Sequence, residues 1–208
     1  MPKCSIAAEP GEKIALLEDG QAGSTELFDI LFGLKNPSSG HAEIEHMDPR
    51  DLRPDVLRHA VALVRGAEVF EGTIAENIQL GRADISMMDV RSSLYDVGLL
   101  EDVLRLPEGL DTRINGSGLP LSMTQRILLV LARAIAGRPR LLLIDGALDT
   151  LGDRQLSLVC ESLQEGSRDW TLFVSTNRRE VAERFDRVVD LARCEPALTD
   201  GAEGRAQL

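Results

Sequence analysis

Residues 121–146 read "LSMTQRILLVLARAIAGRPRLLLIDG", and this stretch decides how the rest of the chain folds. Ser122 fits a helix N-cap, and the largely apolar helix that follows it is, by chemistry alone, a core helix. "RLLLID" (140–145) is a short, continuously apolar run of the kind that forms a strand buried on both faces of a sheet. It puts Asp145 at the carboxyl end of that strand, where α/β sheets present ligand-binding groups and where a carboxylate could hold Mg²⁺ through water. The alternative for Asp145 is a strand-end helix cap.

Similar apolar runs recur at "KIALL" (13–17), "AVALV" (60–64), "TLFVST" (171–176) and "RVVDL" (187–191). Helical patterns lie between several of them, at 26–34, 54–58, 154–165 and 179–185. Strand alternating with helix predicts a mainly parallel sheet with right-handed crossovers. The segment from about 72 to 137 differs, because it shows three helix-like patterns and no convincing strand: "GTIAENIQL", "SMMDVRSSLYDVGLLEDVLRL" and "LSMTQRILLVLARAIAG". Pro107 with Gly109, and Gly116 with Gly118, punctuate it. It reads as a helical insertion into the sheet domain.

With 208 residues, 43% hydrophobic and 27% charged, the chain can bury one core, or one core with a small appended lobe. A net charge of −11 argues against a surface built for nucleic acid or anionic lipid and favours neutral or basic partners. Cys4, Cys160 and Cys194 have neither metal-ligand nor C-x-x-C spacing, so reduced thiols are expected rather than a disulfide framework. His41, His46 and His59 likewise lack ligand spacing and are expected at the surface or in packing, and Trp170 and Tyr95 are expected to be packing residues. No apolar run approaches the ~20 residues that span a bilayer, and Met1 to Gly11 lacks the apolar centre of a signal peptide. A membrane role therefore runs through a partner or through sequence outside this chain. Residues 195–208, "EPALTDGAEGRAQL", read as a disordered tail.

The stretch "LLEDGQAGSTELFDILFGL" (16–34) runs from an apolar strand through small residues, including Gly20, Gly23, Ser24 and Thr25, into a helix that opens with Glu26. That is the context of a phosphate-cradling loop, in which glycines admit backbone N–H groups to the phosphates, a lysine reaches the outer phosphates and a hydroxyl binds Mg²⁺. The stretch has no lysine. An ordinary strand-to-helix turn capped by Ser24 or Thr25 is the competing reading.

The order and spacing of the pieces resolve the choice. From "GEKIALL" through "GLKNPSSGHAEIEHMDPRDLRPDVLRHAVALV", "FEGTIAENIQLGR", "LPEGLDTRINGSGLPLS" and "TQRILLVLARAIAGRPRLLLIDG" to "TLFVSTNRREVAERFDRVVDL", the chain resembles the nucleotide-binding domain of ABC transporters, of the exporter type. The resemblance covers roughly residues 10–193. It implies a P-loop NTPase-type (RecA-like) α/β fold: a mainly parallel sheet flanked by helices (about 1–71 and 138–193) with an inserted ABC-type helical subdomain (about 72–137).

Carried over residue by residue, the resemblance is uneven. It places Glu18 at the first P-loop glycine, Ser24 at the lysine and Thr25 at the Mg²⁺-binding hydroxyl. Sliding the register to match the family's Ser-Thr removes the lysine instead, so its absence does not depend on alignment. In "RGAEVF", Gly66 takes the place of the glutamine that senses Mg²⁺ and the transmembrane partner. The signature motif, usually LSGGQ, keeps Leu121, Ser122 and Gln125 but has Met123 and Thr124 at its glycines, where side chains should obstruct close approach of a γ-phosphate. Gly146 stands at the catalytic glutamate and Asn177 at the γ-phosphate histidine. The adenine-stacking aromatic has no counterpart before Phe28.

A charge-assisted hydrogen bond is worth about 1.5–3 kcal/mol, so losing the lysine weakens phosphate binding by about tenfold to more than a hundredfold. Losing general-base assistance costs roughly 10²–10⁴ in rate. The resemblance thus implies a subunit of an ATP-driven exporter at the inner face of the membrane. Its partners are a transmembrane domain and a second nucleotide-binding domain, joined head to tail. It uses ATP and Mg²⁺ if binding survives, with Thr25 and Asp145 as metal ligands. The alternatives are a non-catalytic pseudo-ATPase that binds or regulates a partner, or a truncated, decayed fragment.

Overall fold

The computed structural model describes residues 5–18, 23–165 and 169–193. The elements in chain order are β1 (Lys13–Leu17), α1 (Ser24–Leu31), α2 (Pro54–Ala60), β2 (Val61–Val64), β3 (Gly72–Thr73), α3 (Ile74–Gln79), α4 (Met87–Asp96) and α5 (Leu100–Leu104). They continue with β4 (Arg113–Ile114), α6 (Met123–Ala136), β5 (Leu141–Asp145), α7 (Asp153–Gln164), β6 (Thr171–Thr176), α8 (Arg179–Ala182) and β7 (Arg187–Asp190). The described residues fall into two compact units, one of 5–18, 23–63, 139–149 and 169–193, the other of 64–138 and 150–165. Among them no helix is long and apolar enough to cross a membrane.

The first unit is organised by a five-stranded sheet of order β2-β5-β6-β1-β7. The pairings β5–β6, β6–β1 and β1–β7 are all parallel. Every residue of β5 and β6 is buried, as parallel strands covered on both faces require. Alternate residues of the strands, Ile14 and Leu16 on β1, Leu141 and Leu143 on β5 and Phe173 on β6, form one core with Phe28 and Leu31 of α1 and Leu57 of α2. The strand at the β7 edge is exposed at Arg187 and Val188, and Arg187 pairs with Glu12 at 2.9 Å. At the start of β1 the buried Lys13 donates from Nζ to the carbonyls of Gly11 and Trp170, both at 2.7 Å. Burial pushes its ammonium below the usual lysine range, opposed by Asp186 and Asp169.

The second unit is mainly helical, and its helix starts follow local rules. α3, α4 and α6 each open with a capping box: Thr73 with Glu76, Ser86 with Asp89, Ser122 with Gln125. The structure differs from the sequence reading in three places here. "SMMDVRSSLYDVGLLEDVLRL" is two helices rather than one, because Gly98 adopts φ +71, which ends a helix, and a Cβ there would meet the Leu158 side chain at 3.1 Å. β3 and β4, two residues each, pair antiparallel where no strand was expected. Tyr95, expected to pack, is 73% exposed, whereas Trp170 of the first unit is buried.

The core assignment has a direct test. Phe173→Ala removes a fully packed ring from the sheet centre and is expected to cost about 3–5 kcal/mol, while Val188→Ala on the exposed edge costs about 1 kcal/mol or less. Urea denaturation of both variants measures the contrast, and equal losses would contradict the strand order.

Candidate functional site

At the carboxyl ends of the parallel strands, polar groups converge within the first unit. β5 ends at Asp145, whose strand register sets it opposite Ser175 of β6. Thr25 Oγ1 donates to Asp145 Oδ2 at 3.0 Å and Ser175 Oγ donates to Asp145 Oδ1 at 2.9 Å. Ser175 Oγ in turn accepts the Gly146 N–H at 3.0 Å. One buried carboxylate therefore joins the first turn of α1 to two adjacent strand ends. Beyond β6, Asp149 accepts the Thr176 hydroxyl and, at 3.0 Å, the backbone N–H of Asn177.

The start of α1 is built differently from a turn capped by its own hydroxyls. Gly23 is the N-cap and offers no side-chain cap bond, while Thr25 turns to Asp145. Ser24 is fully buried and donates its hydroxyl to Glu18 Oε2 at 2.8 Å, with its backbone N–H reaching the same oxygen at a long 3.4 Å. Glu18 is itself anchored, since its N–H donates to the Thr176 carbonyl at 3.1 Å and so continues the β1–β6 ladder by one residue. Glu26, in the first turn, is exposed. Gly20 lies outside the described residues, as do Cys4, Cys194 and the tail 195–208; Cys160 is buried.

The chain has three lysines. Lys13 sits at the amino end of β1, remote from Glu18 along the strand, and Lys35 pairs with Asp29 at 3.1 Å. Lys3 is outside the described residues. Among the described residues, then, neither lysine reaches the start of α1.

Gly146 has φ +65, and a Cβ built on it meets no atom within 4 Å. Space for a side chain exists, but the backbone is left-handed and strains an L-residue by about 1–2 kcal/mol. Gly66 and Leu121–Gln125 belong to the second unit. Ser122 N–H donates to Gln125 Oε1 at 2.9 Å and Gln125 N–H to Ser122 Oγ at 3.3 Å, so the two polar side chains among the three retained signature residues are engaged in starting α6. Met123 is 58% exposed. The loop after Gly66 is held by Arg133 of α6, which donates to the carbonyls of Glu68 at 3.0 Å and Asn77 at 2.7 Å and lies 5.7 Å from the Phe70 ring centre. Burial lowers the Arg133 guanidinium from its usual range, with Glu68 opposing the shift.

Hard divalent cations take oxygen ligands, and the Thr25 hydroxyl beside the Asp145 carboxylate fits that donor chemistry. The groups at the start of α1 do not fit a triphosphate, because an acceptor carboxylate already takes the Ser24 donors that a phosphate oxygen would need. Sequence reasoning singled out Thr25, Asp145 and Gly146. It missed Ser175 and Asp149, and the available signal for the first was the polar pair Ser175 and Thr176 closing an apolar strand.

A mainly parallel sheet with a helix opening after β1 and a carboxylate at the end of β5 is the architecture of the P-loop NTPase class. The profile of the family described as ABC transporter matches residues 2–149, and the chain belongs to that family. It is 30% identical over 186 residues to a fatty acid ABC transporter ATP-binding/permease protein of Mycobacterium bovis, covering 89% of this chain and 30% of that protein. It is 32% identical over 185 residues to an ATP-dependent lipid A-core flippase of Chromobacterium violaceum, covering 88% and 32%. Against a multidrug efflux ATP-binding/permease protein of Mycobacterium bovis BCG the identity is 32% over 188 residues, covering 90% and 16%. The chain spans about a third or less of the length of these curated relatives. By name these relatives are a transporter, a flippase and an efflux protein, and ABC domains in general bind ATP and Mg²⁺.

The engagement of Ser122 in the fold is measurable. Ser122→Ala is expected to lower stability by about 1 kcal/mol and Ser122→Gly by only a few tenths, the pattern of an N-cap. Equal losses from both, read by thermal denaturation, would contradict a capping role.

Proposed function

We propose that this chain is the nucleotide-binding part of an ABC exporter, coupling nucleotide-dependent dimerisation to transport, and that its own ATPase activity is lost or very weak. The names of two of the relatives, which join an ATP-binding part to a permease, support a transmembrane partner, and with such a partner the chain lies at the inner face of the membrane. The observation that carries the loss of activity is Gly146. It follows the strand-end carboxylate with no side chain to polarise a water, on a backbone that disfavours replacement. Asn177, where the resemblance implies a histidine, points the same way.

In a head-to-tail pair with an intact domain, the site built on this chain's α1 lacks lysine, glutamate and histidine and is dead. The opposite site receives Leu121, Ser122, Met123, Thr124 and Gln125 from this chain and turns over slowly. A second reading, a non-catalytic module that binds or regulates a partner, is favoured by the capping box at Ser122 and Gln125, since the fold alone accounts for both residues.

Phosphate release from MgATP by the purified chain is expected to match the protein-free blank. Adding an intact partner domain should give slow turnover that Ser122→Ala reduces further. Hydrolysis by the chain alone, abolished by Asp145→Asn, would overturn the loss of activity. Absence of ATP binding both alone and beside the partner would favour the non-catalytic module.

A further inference from the structure

The misfit between a triphosphate and the start of α1 has a specific source. α1 is an eight-residue helix whose N-cap, Gly23, supplies no side-chain acceptor, so its first-turn N–H groups and the positive end of its dipole call for an anion. In a phosphate-cradling loop that anion comes from the nucleotide. Here Glu18 Oε2 supplies it, taking the Ser24 hydroxyl at 2.8 Å and the Ser24 N–H at 3.4 Å. Ser24 is fully buried, so water does not compete for these donors, and hydroxyl-to-carboxylate bonds are among the stronger hydrogen bonds of a protein.

We propose that the Glu18 carboxylate is an intramolecular competitor for the phosphate position, and that it, more than the missing lysine, sets the weakness of phosphate binding. The inference rests on reading the chain as a nucleotide-binding domain. The Glu18 N–H on the Thr176 carbonyl at 3.1 Å holds the residue at the strand end, and its carboxylate already takes the Ser24 donors, so a phosphate must displace it rather than bind beside it. Two consequences separate this idea from simple loss of a lysine. Removing the carboxylate alone strengthens binding. A lysine introduced at position 24 meets Glu18 first and is spent in an internal ion pair.

The test is equilibrium binding of MgATP and of inorganic pyrophosphate, by calorimetry, to the full chain and to Glu18→Gln, Glu18→Gly, Ser24→Lys and the Glu18→Gly/Ser24→Lys double variant. Glu18→Gln keeps the shape and removes the charge, which keeps the test alive if Glu18→Gly fails to fold. The Glu18 variants are expected to bind both probes roughly tenfold to a hundredfold more tightly, the worth of one charge-assisted contact. Ser24→Lys alone gives no gain, and the double variant exceeds Glu18→Gly. Folded Glu18 variants with wild-type affinity, or a gain from Ser24→Lys alone, would overturn the proposal. In either of those cases an inert wild type leaves the proposed function standing, whereas Asp145-dependent hydrolysis by the wild type defeats that reading separately.

Discussion

Asp145 is the point on which the strand ends are assembled. Its carboxylate is buried, and leaving a buried charge without hydrogen-bond partners costs several kcal/mol. Thr25 from α1 and Ser175 from β6 meet that requirement from different segments, 120 and 30 residues away respectively. Satisfying one charge thereby fixes where α1 begins relative to β5 and β6, and Gly146, whose N–H is bound to Ser175, inherits its place from the same network. The same carboxylate is thereby the means by which three elements are joined.

Glu18 follows the same logic with a different functional result. The positive end of α1 sits where β1 stops, and an anion there is stabilising whether it belongs to a ligand or to the chain. A glutamate one residue past β1, held by the ladder to Thr176, supplies that anion from within the chain. If the proposed competition holds, structure and phosphate binding are in opposition at this position. In the helical unit the balance also falls to structure: Ser122 and Gln125 are engaged in each other's backbone, and Arg133 ties Asn77 and Glu68 to α6.

Much of the fold was legible because parallel strands covered on both faces are continuous apolar runs, and all five runs singled out are strands of the sheet. β3 and β4 were not legible, since two residues carry no period. The break at Gly98 lay in plain sight within "YDVGLL", but a helical pattern on both sides of a glycine does not reveal its φ. At the candidate site, Thr25 and Asp145 stood out through their positions at element ends. The partners of Asp145 and Ser24 did not, because hydrogen bonds between segments depend on register and topology rather than on local sequence. Glu18 was visible as a departure from the first P-loop glycine, but its bond to Ser24 needed three dimensions.

The most direct measurement is the amide resonance of Ser24 in ¹⁵N-labelled chain, followed as inorganic pyrophosphate is added to the wild type and to Glu18→Gln. With Glu18 holding the donors, the wild-type resonance starts at a position different from that of Glu18→Gln and stays there at pyrophosphate concentrations that move the variant's. A wild-type Ser24 amide that shifts over the same concentration range as the variant's would show that the carboxylate does not occupy the phosphate position, and would contradict the account.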